Sequence, residues 1–166
     1  MSLSFYKPNT SSTGCAFSFQ IGTDAKNNAP SMFMKGIKQH SWDSAKRLGN
    51  FSNNKEDPTK NMSIKFNEAE CGEIISAINC RHEFNTFHAF EDNKTSIRFS
   101  PWDKKPKGDS DGSTLPAFGI TVTRNGSETF KMPLDPGETI LITEYLKHFL
   151  HKVFAHEESK FKKAPF

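Results

Sequence analysis

The stretch Met62-Ser63-Ile64-Lys65-Phe66-Asn67-Glu68-Ala69-Glu70-Cys71-Gly72-Glu73-Ile74-Ile75-Ser76 decides the fold of this 166-residue chain. Its first five residues alternate, which places Ile64 and Phe66 on one face of a strand and Lys65 on the other. Asn67 is a favoured N-cap residue, and Glu70, three positions later, completes a capping box. The apolar residues that follow repeat at helical spacing: Cys71, Ile74, Ile75 and Ile78. The stretch therefore predicts a strand that runs directly into a helix.

Alternating segments on both sides of this junction predict further strands. They are residues 16–21, 31–40, a short strand within 42–51, 84–90, 95–99, 118–123 and a return strand through Phe130 and Met132. Asn125-Gly126 predicts a hairpin, because both residues tolerate the positive φ of a type I′ turn. A long polar loop is expected over residues 103–113. Consecutive hairpins make antiparallel sheets, so this order indicates an α+β fold.

A second helix is predicted to begin at Asp135-Pro136-Gly137-Glu138, where Asp135 suits the N-cap and Pro136 the first helical position. It carries a wide apolar stripe of Ile142, Leu146, Phe149, Leu150 and Val153. Leu141 and Tyr145 form a second apolar edge outside this stripe. Since one helix needs a single face against its own sheets, we expect this edge to contact another subunit.

The length favours one domain, which we predict over residues 12–156, with flexible termini at 1–11 and 157–166. Three cysteines (Cys15, Cys71 and Cys80) are an odd number at wide spacing, so reduced thiols are expected. No apolar run approaches the ~20 residues of a membrane span, and the first residues lack the apolar core of a signal peptide. We therefore expect a cytoplasmic protein with no membrane partner.

Motifs for enzymatic chemistry are absent from the sequence. Neither GxGxxG nor the P-loop pattern nor a GxSxG elbow occurs, so we predict no enzymatic activity and no cofactor. Two groups of metal-ligating side chains do occur, namely Glu144, His148 and His151 on the second helix and Cys80, His82 and His88 before the hairpin. Their spacing is irregular and cations are favoured at a helix C-terminus, so no metal site is predicted.

Cations and aromatic residues on the predicted strands are the remaining candidates for a function. Proteins that bind single-stranded nucleic acid place cations along the phosphates and stack aromatic side chains on the bases. The candidates for backbone contacts are Lys35, Lys38, Arg47, Lys65 and Arg98, and those for stacking are Trp42, Phe87 and Trp102. The alternative is that these aromatics belong to the core and the cations to a solvated face. A net charge of only +3 leaves both readings open.

Residues 62–76 resemble the strand-to-helix junction of the Whirly family of single-stranded-DNA-binding proteins, where a strand runs into a Thr-Glu-x-Gly-x-Leu-x-Ser helix. Glu83-Phe84 and Phe87-His88 are similar to the family's Glu-Phe-Phe-His segment, and this adds His88 to the candidate residues. The order of the later hairpins and the terminal helix fits as well. The resemblance covers about residues 14–155. Lys35-Gly36-Ile37-Lys38 is loosely similar to the plant signature Lys-Gly-Lys-Gly-Ala, which is itself absent.

The resemblance implies two four-stranded antiparallel sheets, each followed by a helix, assembled into a homotetramer that binds single strands along the sheet edges. It implies a single-stranded-DNA-binding protein of replication, recombination or repair. The opening Ser4-Phe5-Tyr6-Lys7-Pro8 and the size are more similar to bacterial and phage members, which would place a phage-encoded protein in the host cytoplasm. The alternatives are an RNA-binding or transcription-coactivator relative and a purely structural oligomerisation protein.

Overall fold

The computed structural model describes residues 1–108 and 111–163. In chain order the elements are β1 (Ser2–Lys7), β2 (Cys15–Thr23), β3 (Pro30–Lys38), β4 (Ser41–Asp43), β5 (Leu48–Asn50), a 3₁₀ turn (Ser52–Asn54), β6 (Asn61–Phe66), α1 (Glu68–Cys80), β7 (Phe84–Phe90), β8 (Asn93–Lys104), β9 (Leu115–Arg124), β10 (Glu128–Leu134) and α2 (Pro136–Lys163). The region predicted to hold a short strand thus contains the small β4–β5 hairpin.

Two four-stranded antiparallel sheets form the body of the molecule. The first has the order β1-β2-β3-β6 and the second the order β10-β9-β8-β7. Helix α1 follows the last strand of the first sheet, and α2 follows the last strand of the second. The predicted α+β fold, with two four-stranded sheets each followed by a helix, is confirmed.

The core lies between the inner faces of the sheets and the two helices. Phenylalanine fills much of it, and seven of the fully buried large side chains are Phe17, Phe19, Phe66, Phe99, Phe118, Phe130 and Phe149. Ile142 and Leu146 of α2 are fully buried against them. Large aromatic side chains bury much apolar surface each, so a chain with 34 % hydrophobic residues still builds an extensive core.

The junction between β6 and α1 has the predicted capping box. The Asn67 side-chain oxygen accepts a hydrogen bond from the Glu70 N–H at 2.8 Å, and Glu70 Oε2 accepts one from the Asn67 N–H at 3.0 Å. The helix ends at Arg81, which adopts a left-handed conformation with φ of 52°. Cys71 and Ile74 are fully buried on the predicted stripe.

The N-terminal residues form a strand, so the prediction of a flexible segment is wrong for Ser2–Lys7. This segment pairs along its whole length with β2, and Phe5 lies opposite Phe17 in the register. Phe5 is buried, whereas Tyr6 is exposed. The alternation of apolar and polar residues in Ser2–Lys7 is short, but it forms an edge strand because β2 provides both the pairing partner and a buried face.

The C-terminal part of the chain is helical as far as Lys163, so the prediction of a flexible end is wrong for residues 157–163. Ion pairs between Lys160 and Glu157 and between Lys147 and Glu144 support the exposed side of this helix. Residues 164–166 of the predicted flexible end, and 109–110 of the predicted loop, lie outside the described residues. That loop begins later than predicted, because β8 continues to Lys104.

Tyr145 belongs to the core, which corrects its assignment to an apolar edge facing another subunit. Its side chain is 8 % exposed. The phenol oxygen accepts a hydrogen bond from the Ile21 N–H at 3.2 Å and donates one to the Met1 carbonyl at 2.8 Å. Leu141, the other member of that edge, is exposed. Neither helix is both long and apolar enough to cross a membrane, within the residues that the structure describes.

Candidate nucleic-acid interface

The edge strands β6 and β7 belong to different sheets and face each other across a cleft of about 780 Å³, here called the edge cleft. Phe33 and Lys65 of the first sheet line one side. Phe87, His88 and Phe90 of β7 line the other side. Two of the predicted stacking and backbone-contact residues, Phe87 and Lys65, are therefore brought together with His88 in one place.

Exposed phenylalanine rings are the most distinctive feature of the edge cleft. Phe87 is 60 % exposed and Phe90 is 73 % exposed, while Phe33 is half-buried. Exposing neighbouring large apolar side chains to water is unfavourable, so such patches commonly mark a surface that binds a ligand or another molecule. Aromatic rings presented in this way can stack on nucleobases, which offer flat faces whatever the sequence.

The cations of the edge cleft are partly neutralised. Lys65 Nζ lies 3.2 Å from Asp24 Oδ2. The backbone N–H of Lys26 and then the Lys65 ammonium hold the pKa of the Asp24 carboxyl below its usual value. Arg124 bonds to Glu128 and donates to the main-chain carbonyls of residues 58 and 61. Because both cations already have partners, the edge cleft supplies only a modest positive field.

His88 and Glu70 connect the wall of the edge cleft to helix α1. The His88 Nε2–H donates to Glu70 Oε1 at 2.6 Å, and the Thr86 hydroxyl donates to the same oxygen at 2.7 Å. Burial alone would raise the pKa of the Glu70 carboxyl. The hydrogen bonds from His88, Thr86 and the Asn67 N–H outweigh burial and hold this pKa below its usual value. Glu70, which completes the capping box of α1, thus also holds β7 in position.

Lys35 lies outside the edge cleft, on the outer face of the first sheet. It belongs to a row across the four strands made of Ser4, Ser18, Lys35 and Ser63. Its side chain is exposed and forms no ion pair within residues 1–108 and 111–163. Lys35 is therefore available to an incoming phosphate beside Phe33 of the same strand.

Lys38 lies on the opposite face of β3 from Lys35, beside the residue that precedes β6, because its N–H donates to the Lys60 carbonyl at 2.8 Å. Its Nζ is 5.0 Å from the centre of the buried Phe130 ring, a cation–π contact. Together with Lys60 and Lys131 it lines a separate groove of about 440 Å³. The structure thus separates Lys38 from the edge cleft.

Arg98 and Trp102 lie on β8 and already have partners within the chain. Two nitrogens of Arg98 bond to Glu83 Oε2. The Asn85 amide and then Arg98 hold the pKa of the Glu83 carboxyl below its usual value. The Trp102 indole is partly exposed, but its N–H donates to the Phe118 carbonyl at 2.8 Å. Neither residue lines the edge cleft.

Trp42 and Arg47 lie on the β4–β5 hairpin. Trp42 is half-buried, and Arg47 is exposed at the turn with φ of 54°. No residue of this hairpin is among those that line the edge cleft in the part of the chain that the structure describes. The nine predicted residues therefore divide between the edge cleft, the two outer sheet faces, the groove at Lys38 and this hairpin.

Sequence reasoning missed Phe33, Phe90 and Arg124. Phe33 was placed on an alternating strand but was not assigned to a site, although it shares a face with Lys35. Phe90 ends the predicted strand 84–90 directly before a turn, where a large apolar side chain is hard to bury. Arg124 precedes the Asn125-Gly126 turn, and no local signal indicates that it contacts residues 58 and 61.

The whole chain has the architecture of plant Whirly proteins of known structure. WHY3 from Arabidopsis thaliana superimposes with a TM-score of 0.60 at 12 % sequence identity, covering 96 % of this chain and 92 % of WHY3. The chain has a Whirly-like fold. WHY1 from Arabidopsis thaliana gives a TM-score of 0.58 at 13 % identity, covering 100 % of this chain and 95 % of WHY1.

A plant transcriptional regulator, PBF-2, has the same Whirly-like fold, with a TM-score of 0.59 at 12 % identity over 99 % of this chain and 88 % of PBF-2. No family model and no curated protein matches the sequence. At this level of identity the similarity establishes the fold alone. The function has to be argued from the chain's own residues.

Proposed function

We propose that this protein binds single-stranded DNA, without catalysis and without a cofactor, in replication, recombination or repair. The observation that carries the proposal is the edge cleft, where the exposed Phe87 and Phe90 rings face Phe33 and Lys65 across the edges of two sheets. This arrangement offers both groups that single-strand binding requires, namely rings for the bases and cations for the backbone.

A single strand fits this surface better than a duplex. Bases in a duplex are stacked on each other and present only their edges, so rings such as Phe87 have no flat face to meet. The bases of a single strand can be turned towards the rings. Since Lys65 already pairs with Asp24, stacking carries a large share of the affinity, and Lys35 adds backbone attraction from the adjacent face.

Fluorescence anisotropy with labelled DNA, across salt concentrations, tests this function. We expect single strands to bind more tightly than duplex, with a log–log salt slope of about −0.7 for each neutralised phosphate. Equal affinity for duplex would contradict the proposal. Preferential binding of RNA in direct competition would replace it with the RNA-binding alternative, and no binding at any salt would favour a structural protein.

The variants Phe87→Ala and Phe90→Ala test the role of the edge cleft. Each is expected to weaken single-strand binding by about 1–3 kcal/mol. Phe161→Ala is the matched control, because Phe161 is 79 % exposed on α2, similar to the 73 % of Phe90, but lies outside the cleft. An equal loss of affinity in the control and in Phe90→Ala would refute the assignment of the cleft.

We further propose that the protein assembles through α2 into a homotetramer located in the cytoplasm, or in the host cytoplasm if it is phage-encoded. A subunit contact is supported by three exposed apolar side chains on α2, namely Ile140, Leu141 and Phe154. Tyr145 does not contribute, because it is buried in the core. Light scattering of the wild type should report about four times the 18.7 kDa chain mass. Leu141→Glu should lower this mass, and a monomeric wild type at micromolar concentration would contradict the proposal.

A further inference from the structure

A second basic surface adjoins the edge cleft beyond Arg124, whose guanidinium lies over the same Phe130 ring as the Lys38 ammonium. Here the end of β3, the residue before β6 and the edge strand β10 meet, and each contributes one lysine to a groove of about 440 Å³. We call it the lysine groove and define it by Lys38, Lys60 and Lys131 together with the Thr129 side chain. No carboxylate is among its lining residues in the part of the chain that the structure describes.

A hydrogen bond and strand contacts hold the three segments of the lysine groove together. The Lys38 N–H donates to the Lys60 carbonyl at 2.8 Å, which joins the end of β3 to the segment before β6. Strand β10 also contacts β2 and β3, which joins it to the first sheet. The stem of Lys38 is half-buried and its ammonium lies over the Phe130 ring. The lysine positions are therefore set by the fold.

The charges of the lysine groove are only weakly compensated within the described residues, where the Lys60 charge helps to lower the pKa of the Asp57 carboxyl. None of its three lysines forms an ion pair in residues 1–108 and 111–163, whereas Lys7, Lys65 and Lys104 all do. Three lysines that line one groove without a carboxylate among the lining residues repel each other and attract an anion. Charge complementarity therefore indicates a polyanionic ligand. The edge cleft already implies a nucleic acid, whose phosphates make it such a ligand.

The outer face of the second sheet connects the edge cleft to the lysine groove. One register row runs from Phe87 across Ser96 and Thr123 to Thr129, and the next runs from Asn85 across Arg98 and Thr121 to Lys131. These side chains alternate with the buried ones of the same strands, so both rows face solvent. Hydroxyl groups and cations of this kind are common contacts for phosphates.

The length of this connection suits a short run of nucleotides. Phe87 and Thr129 lie on the two edge strands of a four-stranded sheet, so three strand spacings separate them, or about 14 Å. A stacked strand advances about 3.4 Å for each nucleotide, so about four nucleotides span the face, and fewer when the strand is extended. The Arg98 guanidinium on this path is already paired with the Glu83 carboxylate.

We propose that the lysine groove is a second phosphate-binding site, and that a single strand leaving the edge cleft at Phe87 crosses the outer face of the second sheet to reach it. This inference rests on the proposed function, because it assigns a further part of the path to the same ligand. It predicts that the groove contributes only when the strand is long enough to extend beyond the edge cleft.

The test compares oligothymidylates of about five and about twenty nucleotides, the first near the lower end of the range of about 4–16 nucleotides that a single domain covers and the second above it. Lys60→Gln combined with Lys131→Gln should leave binding of the short strand unchanged. For the long strand the double variant should reduce the salt slope by about 1.4. If wild type and variant bind equally at 1 M salt, this change corresponds to about 25-fold weaker binding by the variant at 0.1 M salt. Both lysines are exposed, so the thermal midpoint should not change.

Three controls make the result specific. Lys162→Gln removes an equally exposed lysine from the end of α2 and should change nothing. Lys131→Arg keeps the charge and should retain the wild-type slope. Each single glutamine variant should give half of the change, which keeps the test valid even if the double variant is less stable.

The outcomes separate this inference from the proposed function. An unchanged long-strand slope in the double variant, or an equal loss for short and long strands, would overturn the lysine groove while leaving the edge cleft in place. Displacement of the long strand by a short poly-glutamate peptide, with Lys60 and Lys131 required for peptide binding but not for DNA, would assign the groove to acidic proteins and overturn the inference. A protein that binds neither length would refute the proposed function itself.

Discussion

Replacing Glu70 with alanine is expected to destabilise the protein and, at the same time, to weaken single-strand binding. This side chain accepts three hydrogen bonds, from the Asn67 N–H at 3.0 Å, the Thr86 hydroxyl at 2.7 Å and the His88 Nε2–H at 2.6 Å. The first belongs to the α1 capping box, and the other two hold the middle of β7. Loss of the carboxylate therefore affects the helix start and one wall of the edge cleft together.

The magnitude follows from these contacts. Each hydrogen bond contributes about 0.5–1.5 kcal/mol, and bonds to a charged group contribute more when water is excluded. The Glu70 side chain is 13 % exposed, so we take about 1 kcal/mol for each, or about 3 kcal/mol for Glu70→Ala. For a chain of this size that corresponds to a decrease of about 6–12 °C in the thermal midpoint. Glu70→Gln keeps the capping geometry and should cost only about 1 kcal/mol.

The charge of Glu70 also makes this contribution depend on pH. Its pKa is held below the ordinary value of 4.5 in the folded protein, so the unfolded chain takes up the proton more readily. The stabilisation is therefore fully present above about pH 4.5 and is lost as the pH falls through the folded pKa. The difference in free energy of unfolding between wild type and Glu70→Gln should shrink over that range.

Urea unfolding of wild type, Glu70→Gln and Glu70→Ala at pH 7, and again below pH 4, measures both effects. Glu68→Ala is the control, because Glu68 is exposed in the same first turn of α1. Equal free energies of unfolding for all four proteins at pH 7 would refute the role assigned to Glu70. So would a difference between wild type and Glu70→Gln that stays constant with pH.

Three further predictions concern other parts of the molecule. Gly14→Ala should destabilise by about 1–3 kcal/mol in thermal unfolding, because the added Cβ would lie 2.2 Å from the Lys7 carbonyl oxygen; a stable variant would show that this segment can move. Of the three thiols, Cys80 alone is exposed and should react rapidly with a thiol reagent, whereas burial raises the pKa of Cys71 to about 12; three equally fast thiols would contradict this. Trp102→Phe should lower stability by about 0.5–1.5 kcal/mol through the lost hydrogen bond and leave DNA affinity unchanged, and a tenfold weaker affinity would instead assign Trp102 to stacking.

Local signals in the sequence were sufficient for much of the fold. The capping box of Asn67 and Glu70 located the start of α1, and Asn125-Gly126 located the β9–β10 hairpin. Both are decided by residues within a few positions of each other, so a single sequence contains the necessary information. The strand β1 was missed because its apolar side is only Leu3 and Phe5, and its stability comes from pairing with β2.

Features that depend on distant residues could not be predicted in the same way. Tyr145 looked like an outward-facing residue from its position around α2, but its hydroxyl bonds to Met1 and Ile21, more than 100 positions earlier. The edge cleft depends on the approach of β6 to β7, which are edge strands of different sheets separated by α1. Residue spacing does not reveal such an approach, and this is why Phe87 was predicted without its neighbour Phe33.

The Arg124 guanidinium, which joins the β9–β10 hairpin to the carbonyls of residues 58 and 61, has a consequence for the time course of binding. It fastens the second sheet to the segment that enters β6, so the distance between the walls of the edge cleft is set before any strand arrives. We therefore expect no slow opening step before a strand binds. For the proposed DNA binding we expect one kinetic phase whose rate depends on DNA concentration and salt, with differences in affinity between sequences arising from the dissociation rate.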